Sequence, residues 1–347
     1  MSVTMRESIT RTSSLNVGLY FDLRNPPQWA QDPARLYGFT LEMCEEAEHL
    51  GASSAWFSEH HLFEDGYLTS PLTYAAAVAA RTSRLRLGTA IVIAPLHKPA
   101  EIAEQSVVVD ILSNGRLDLG LGAGYRVPEF ELFDATLKAR YRQTDETARR
   151  LRELWSPGGV RPGPIQKSIP IWMGYQGPQG ARRAGLLGER LLSADAALWA
   201  PYAEGLAEGG YSDSDGVMAG GIQCWTSEDP DRDWLVVSKH LAHQLNSYRR
   251  HMVEGTDTPT PKPVDVDRMI EDGRSGPLGS FIYGTPEQVA ERIRAYTAGA
   301  PVHEVFLWAS IGGMPEDHVA RNVQTICNRL APLLRTDGHR SNQSEPT

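Results

Sequence analysis

The chain has 347 residues, with 43 Asp and Glu against 34 Lys and Arg, a formal net charge of -9, and ordinary amounts of Gly, Pro and aromatic residues. That length suits one large α/β barrel or two ordinary domains, and the acidic balance, with no basic run longer than Arg249-Arg250, argues against a nucleic-acid partner. Cys44, Cys224 and Cys327 are far apart, odd in number and without Cys-x-x-Cys spacing, which argues against a disulfide framework or a structural zinc site.

Residues 1–14 are polar and lack the apolar core of a signal peptide, and no apolar run approaches the roughly 20 residues needed to cross a bilayer, so no membrane association and a cytoplasmic location are expected. Residues 1–14 and 335–347, rich in Ser, Thr, Asn and Pro, read as disordered tails. Between them, 15–334 reads as one domain.

In chain order, short β-branched or apolar runs alternate with longer helical patterns. A strand at 15–21 precedes a helix at 33–50; strands at 54–58 and 85–93 precede helices at 70–82 and 98–112; a fourth strand at 116–121 precedes a helix at 140–155. A Pro/Gly-rich connector, 156–164, leads to a strand at 169–174 and an Ala/Arg/Leu helix ending by Gly188. Strands six, seven and eight fall at 190–193, 221–225 and 305–308, and a final helix at 316–334. The repeat predicts an α/β protein of (β/α)8 TIM-barrel type. Residues 226–285 exceed a normal connection; 231–251 is helical in pattern and 256–279 is rich in Pro, Asp and Gly, so an insertion between strands 7 and 8, passing over the barrel mouth, is expected.

The second strand stops at Ser58-Glu59-His60-His61, which puts a carboxylate and two imidazoles where barrel enzymes keep their active sites. The plainer reading makes one His a satisfied hydrogen-bonding residue beneath the loop. A metal reading uses His60, His61 and Glu64, but no His-Glu-x-x-His or inverse motif exists, and His97, His240 and His303 add no paired spacing, so no metal is expected. Gly120-Leu121-Gly122-Ala123-Gly124 follows a strand, yet Pro128 interrupts what a dinucleotide fold would need as its first helix; a tight turn remains the alternative. Gly174-Tyr175-Gln176-Gly177-Pro178-Gln179-Gly180 opens a helix bearing Arg182 and Arg183, a location suited to an anion. Tyr125, Trp199, Trp225 and Trp308 lie near strand ends and are candidate pocket-lining rings.

Four blocks, SEHHLFEDGYLTSPL, RLRLGTAIVIAPLHKPAEIAEQ, LSNGRLDLGLGAGYRVPEF and PIWMGYQG, resemble successive blocks of the bacterial luciferase-like flavin-dependent monooxygenase family, in order and spacing, across 15–334. The resemblance implies a luciferase-like barrel in which reduced FMN and dioxygen oxygenate a small organic substrate through a flavin hydroperoxide. A separate flavin reductase would supply the reduced flavin. His60 matches the family's catalytic imidazole, and Glu59 beside it reads as an orienting partner or a supporting carboxylate rather than the base itself. Ala90-Ile91 matches a cis peptide beneath the flavin ring. Gly122, Ala123, Gly124, Tyr125 and Arg126 would pass beside the flavin, the two glycines making room for it, and Gly174, Tyr175, Gln176, Gly177 and Gly180 would hold its phosphate.

The chain departs from luciferase itself at Ala123, where luciferase has Arg, and at Gln176 and Gly177, where it has a carboxylate/hydroxyl pair; Arg126 could restore the charge. Relatives also suggest a homodimer packed through the helices beside the second and third strands, with residues 72–80 at the contact. Two other readings stand beside the monooxygenase: a deazaflavin-dependent hydride transfer without dioxygen, and a non-catalytic barrel that partners an active copy. A zinc-type barrel hydrolase is the weakest.

Overall fold

The computed structural model describes residues 14–266, 268 and 281–335. The tails expected at 1–14 and 335–347, apart from Ser14 and Arg335, lie outside the described residues, as does much of 256–279.

Eight parallel strands close into a barrel. They are β1 (Asn16–Phe21), β2 (Ser54–Phe57), β3 (Arg86–Thr89), β5 (Leu117–Gly122), β6 (Ile171–Met173), β7 (Arg190–Leu192), β8 (Met218–Ile222) and β11 (Val302–Trp308). Around the barrel the order is β3-β2-β1-β11-β8-β7-β6-β5, and β5 returns to β3 through Leu87↔Leu117, so no edge is left open. β4 (Val92–Ile93) continues the third strand beyond a cis Ala90-Ile91 peptide and pairs with the end of β5. The single strand expected over 85–93 is therefore two pieces.

Helices form where the sequence supplies starts. Asp32 accepts a hydrogen bond from the Ala34 N–H ahead of Pro33–His49, and Thr285 and Gln288 form a reciprocal capping box on Pro286–Thr297. Pro stands at the first or second position, where its missing N–H costs nothing, in the α-helices Pro33–His49, Pro71–Arg81, Pro99–Leu112, Val127–Leu132, Gly177–Leu186, Pro230–Val253 and Pro286–Thr297.

Two expectations need correction. The seventh barrel strand is Met218–Ile222, three residues before the predicted 221–225; the Cys-Trp-Thr run forms β9 (Cys224–Thr226), which pairs with β10 (Ile282–Gly284) outside the barrel. Its small residues, Ala219, Gly220 and Gly221, hid the true strand from a reading that sought β-branched side chains. A helix at Trp199–Gly209 was also missed, because Pro201, Gly205 and Gly209 read as breakers. Gly205 is instead a contact point: a Cβ there would lie 2.0 Å from the Arg182 carbonyl oxygen, and one on Gly185 would lie 2.3 Å from that of Tyr202, so the two helices cross glycine against backbone.

Inside the barrel, Trp56 stacks on Phe306 at 4.5 Å and meets Trp172 edge-on at 6.1 Å. Gly88 clears the space, since a Cβ there would fall 2.2 Å from the Trp56 indole. Two carboxylates in this interior are paired: Glu304 accepts from Ser54 Oγ at 2.6 Å and Trp56 Nε1 at 3.0 Å, and Asp118 accepts from Trp172 Nε1 at 3.0 Å. This packed interior leaves the strand C-terminal ends to carry chemistry.

Candidate active site

β2 delivers Ser58, Glu59, His60 and His61 to the mouth, and the loop is fixed by its backbone: Glu59 N–H donates to Ile91 O at 3.1 Å and His60 N–H to Leu68 O at 3.0 Å. His60 Nδ1 lies 3.0 Å from Glu129 Oε1, and the same oxygen accepts the His61 N–H at 3.0 Å and Arg126 Nη1 at 3.3 Å. Glu129 is fully buried. Burial alone would raise its carboxyl, but the hydrogen bond and charge of His60, the His61 N–H and Arg126 outweigh that and hold it below the ordinary carboxylate range. An ionised Glu129 can only accept, so His60 Nδ1 carries the proton toward it, and Nε2 is left with the lone pair when the ring is neutral. Around the imidazole stand Tyr67 at 4.7 Å, Phe63 at 4.8 Å, Tyr125 at 5.9 Å and Tyr248 at 6.3 Å, centroid to centroid. The arrangement is a polarised imidazole in an aromatic box, suited to taking up and returning a proton.

Glu59 does not touch His60. Its Oε1 accepts from His61 Nε2 at 2.8 Å and His97 Nε2 at 2.6 Å, and its Oε2 from the Ile93 N–H at 2.6 Å. Burial opposes ionisation, but these donors prevail and keep the carboxyl below its usual range. His97 is pulled upward: burial disfavours its charge, and the hydrogen bond and charge of Glu59 more than compensate. The three groups of the metal reading go separate ways, His60 to Glu129, His61 to Glu59, and Glu64 to Arg250 at 2.9 Å. Among the described residues no cluster of three or more His, Cys, Asp or Glu is arranged to hold a metal.

Arg126 is held between two carboxylates and a backbone carbonyl. Its Nη1 also donates to the His61 carbonyl, its Nη2 to Glu254 Oε2 at 2.6 Å, and its guanidinium covers the Phe63 ring at 4.5 Å. Its partners lie in the second-strand loop, at Glu129 three residues on, and at the end of the long helix, while its buried Nε has no hydrogen-bond partner among the described residues.

Gly122 and Gly174 both abut Ile91, whose side chain would come within 2.5 Å of a Cβ at either position, and Gly124, with φ +67°, would meet Ile93 at 2.6 Å. The space these glycines leave is filled by Ile91 and Ile93, side chains that follow the cis peptide. Ala123 is buried and Tyr125 is 37 % exposed.

At the loop after β6, the helix Gly177–Leu186 starts from Gln176 with no side-chain cap, and Gly177, at φ +69°, has open space where a Cβ would stand. Tyr175 donates from its hydroxyl to Asp145 Oδ1 at 2.6 Å, and Gly180 packs on the Tyr175 ring stem. Arg183 also pairs with Asp145 and Arg182 with Glu208, so the backbone N–H groups, rather than either guanidinium, face this helix end unsatisfied.

A polar network not expected from the sequence lies beneath His60. Tyr20 OH bonds Ser58 Oγ and Tyr67 OH, both at 2.5 Å, and Tyr67 OH bonds Tyr248 OH at 2.6 Å. Beneath them the buried Arg24 donates to Asp65 at 2.6 Å and Ser247 at 2.6 Å, and Gln244 donates to Asp22 at 3.0 Å. Gln244, Ser247, Tyr248 and His251 recur on one face of Pro230–Val253, a polar stripe at helical spacing that was the available signal. That face walls the mouth, with His251 stacked on Phe63 at 4.0 Å. Just beyond it, Gly255 lies against Val127. Of the aromatic candidates only Tyr125 neighbours His60; Trp225 and Trp308 are buried in the frame, and Trp199 packs on Tyr202.

A family model described as luciferase-like monooxygenase matches residues 18–303. The oxygenase component of a flavin-dependent trigonelline monooxygenase from Acinetobacter baylyi is 36% identical over 101 residues, 29% of this chain and 28% of that protein. An F420-dependent glucose-6-phosphate dehydrogenase from Kineococcus radiotolerans is 29% identical over 344 residues, 87% of this chain and 94% of that one. In several curated relatives, the trigonelline enzyme among them, the matched stretch spans less than a third of their length. The crystal structure of a monooxygenase from Streptomyces bottropensis superposes with a TM-score of 0.73 at 22% identity, covering 92% of this chain and 99% of that one.

Proposed function

The chain belongs to the luciferase-like monooxygenase family, and from that premise we propose that it is a flavin-dependent oxygenase, using reduced FMN delivered by a separate reductase, and dioxygen, to oxygenate a small organic substrate. The observation that carries this reading is His60, held through Nδ1 by a buried, ionised Glu129 and left with Nε2 inside a ring of aromatic side chains.

The residues fit the cofactor. The uncapped start of Gly177–Leu186, with Gly174, Tyr175, Gln176, Gly177 and Gly180, would take its phosphate on backbone N–H groups. Ala90, Ile91, Gly122, Ala123, Gly124 and Tyr125 would carry its ring; Arg126 would act on this wall through Glu129, Glu254 and the His61 carbonyl. When bound, reduced flavin supplies the two electrons that activate dioxygen. His60 holds and returns a proton at Nε2, Glu129 fixes its tautomer, and the Phe63, Tyr67 and Tyr248 rings exclude water around it.

A deazaflavin-dependent hydride transfer is the second reading, favoured by the 344-residue match to an F420-dependent enzyme. Mixing the protein anaerobically with reduced FMN and then admitting air separates the two. The oxygenase reading expects flavin oxidation that consumes dioxygen and tracks substrate conversion; affinity for the deazaflavin alone, with no dioxygen uptake, would replace it. We further propose a cytoplasmic homodimer; among the described residues no helix is long and apolar enough to cross a membrane.

A further inference from the structure

Glu59 ties three segments together. Its backbone N–H donates to Ile91 O at 3.1 Å, its Oε2 accepts the Ile93 N–H at 2.6 Å, and its Oε1 accepts from both His61 and His97. The stretch it grips, Ile91 to Ile93, is the one whose side chains fill the gaps at Gly122, Gly174 and Gly124. A line of contacts therefore runs from the second-strand loop through Ile91 to the ends of β5 and β6. Two imidazoles on one carboxylate oxygen leave Glu59 no capacity to exchange protons with a ligand, and it is 2 % exposed. It is built to hold, not to react.

We infer that Glu59, with His97, is a positioning residue that clamps the Ile91–Ile93 segment and thereby sets the shape of the surface on which the cofactor ring rests. This rests on the cofactor placement proposed above. The carboxylate takes the Ile93 N–H from the second-strand side, while Val92 and Ile93 pair with Leu121 and Gly122 of β5 on the other, so the segment is held from both sides. His97, partly exposed, finishes the second-strand side of the clamp, and Phe133 covers both imidazoles at 4.7 and 5.8 Å.

The test measures FMN affinity by fluorescence titration of the full chain and amide exchange at Ile91 and Ile93, with thermal unfolding as a folding control. Glu59→Ala is expected to weaken FMN binding about tenfold or more and to speed Ile93 exchange by a similar factor. Glu59→Gln, which keeps an acceptor for Ile93, should restore affinity to within about threefold of wild type, whereas Glu59→Leu, which fills the space without an acceptor, should stay as weak as Glu59→Ala. Should Glu59→Ala fail to fold, His97→Ala at its partly exposed site serves in its place, with an expected loss of about threefold to fivefold. Wild-type affinity and unchanged Ile93 exchange in folded Glu59→Ala, or in His97→Ala if that variant stands in, overturn the inference. Wild-type protein that binds no FMN would instead remove the FMN reading, and the Ile93 exchange would still decide the clamp.

Discussion

His60 and Glu59 are neighbours in sequence and face different work. Consecutive side chains leaving a strand point to opposite sides, so the imidazole turns to Glu129 while the carboxylate turns to His61 and His97. The importance of the Glu-His-His run was legible because it is local; the partner of His60 was not, since Glu129 is 69 residues away and reaches it only through the fold. His60→Ala is expected to keep FMN binding and to lose about 100-fold or more in turnover, as befits loss of a proton-handling group. Glu129→Gln should lower turnover by about tenfold to 100-fold with FMN affinity little changed, because the amide no longer dictates which imidazole nitrogen holds the proton. Steady-state rates and flavin titrations of both variants check this, and wild-type turnover in His60→Ala would remove it from the mechanism. Asp22 offers a measure of stability: burial pushes its carboxyl up to about 6, above the unfolded value of 3.8, even against Arg24 and Gln244. A raised folded value favours the protonated form, so its contribution is complete below about pH 4 and is lost as pH climbs through about 6, on the order of 3 kcal/mol. Asp22→Asn should therefore gain melting temperature over wild type at pH 8 and show little gain at pH 4.

At the level of elements, the periodic stretches were readable and the aperiodic ones were not. Helices at Pro33–His49 and Pro99–Leu112 sit within a residue or so of expectation, because apolar spacing and proline starts agree there. The third strand divides at Ala90-Ile91 and the seventh is built of small residues, features set by what packs around them. Ile91 is the clearest case: its side chain lies in the notches of Gly122 and Gly174. Gly122→Ala would place a methyl 2.5 Å from Ile91 Cγ1, and is expected to cost about 1–3 kcal/mol in unfolding free energy. Adding Ile91→Ala should recover part of that loss, measured by denaturant titration of the single and double variants; strict additivity would show that the two side chains do not compete for the same space.

For the molecule as a whole, the barrel was predictable from eight alternating units and does not depend on the resemblance; the helix Pro230–Val253 was legible in its periodicity, whereas its contacts with Asp22, Arg24 and Phe63 were not, being long-range. The outer face of Pro99–Leu112 exposes Val108, Ile111 and Leu112, and beside it Thr73, Ala77 and Ala80 are exposed on Pro71–Arg81, small enough for close approach by a second copy. Sedimentation should give a dimer, and Val108→Arg with Leu112→Arg should give a monomer that keeps its fold; a wild-type monomer would discard the pairing.

One closing bond has a further use. Leu15 N–H donates to the Leu334 carbonyl at 3.2 Å, so the first strand and the last helix turn finish side by side. A short bridge joining residues 14 and 335 would make the domain circular, and it could then be reopened at the exposed segment near Gly158 and Gly163, where glycine meets no neighbour. Such a permuted gene should yield the same cylinder, because its walls are held by side-to-side ladders that are indifferent to where translation begins.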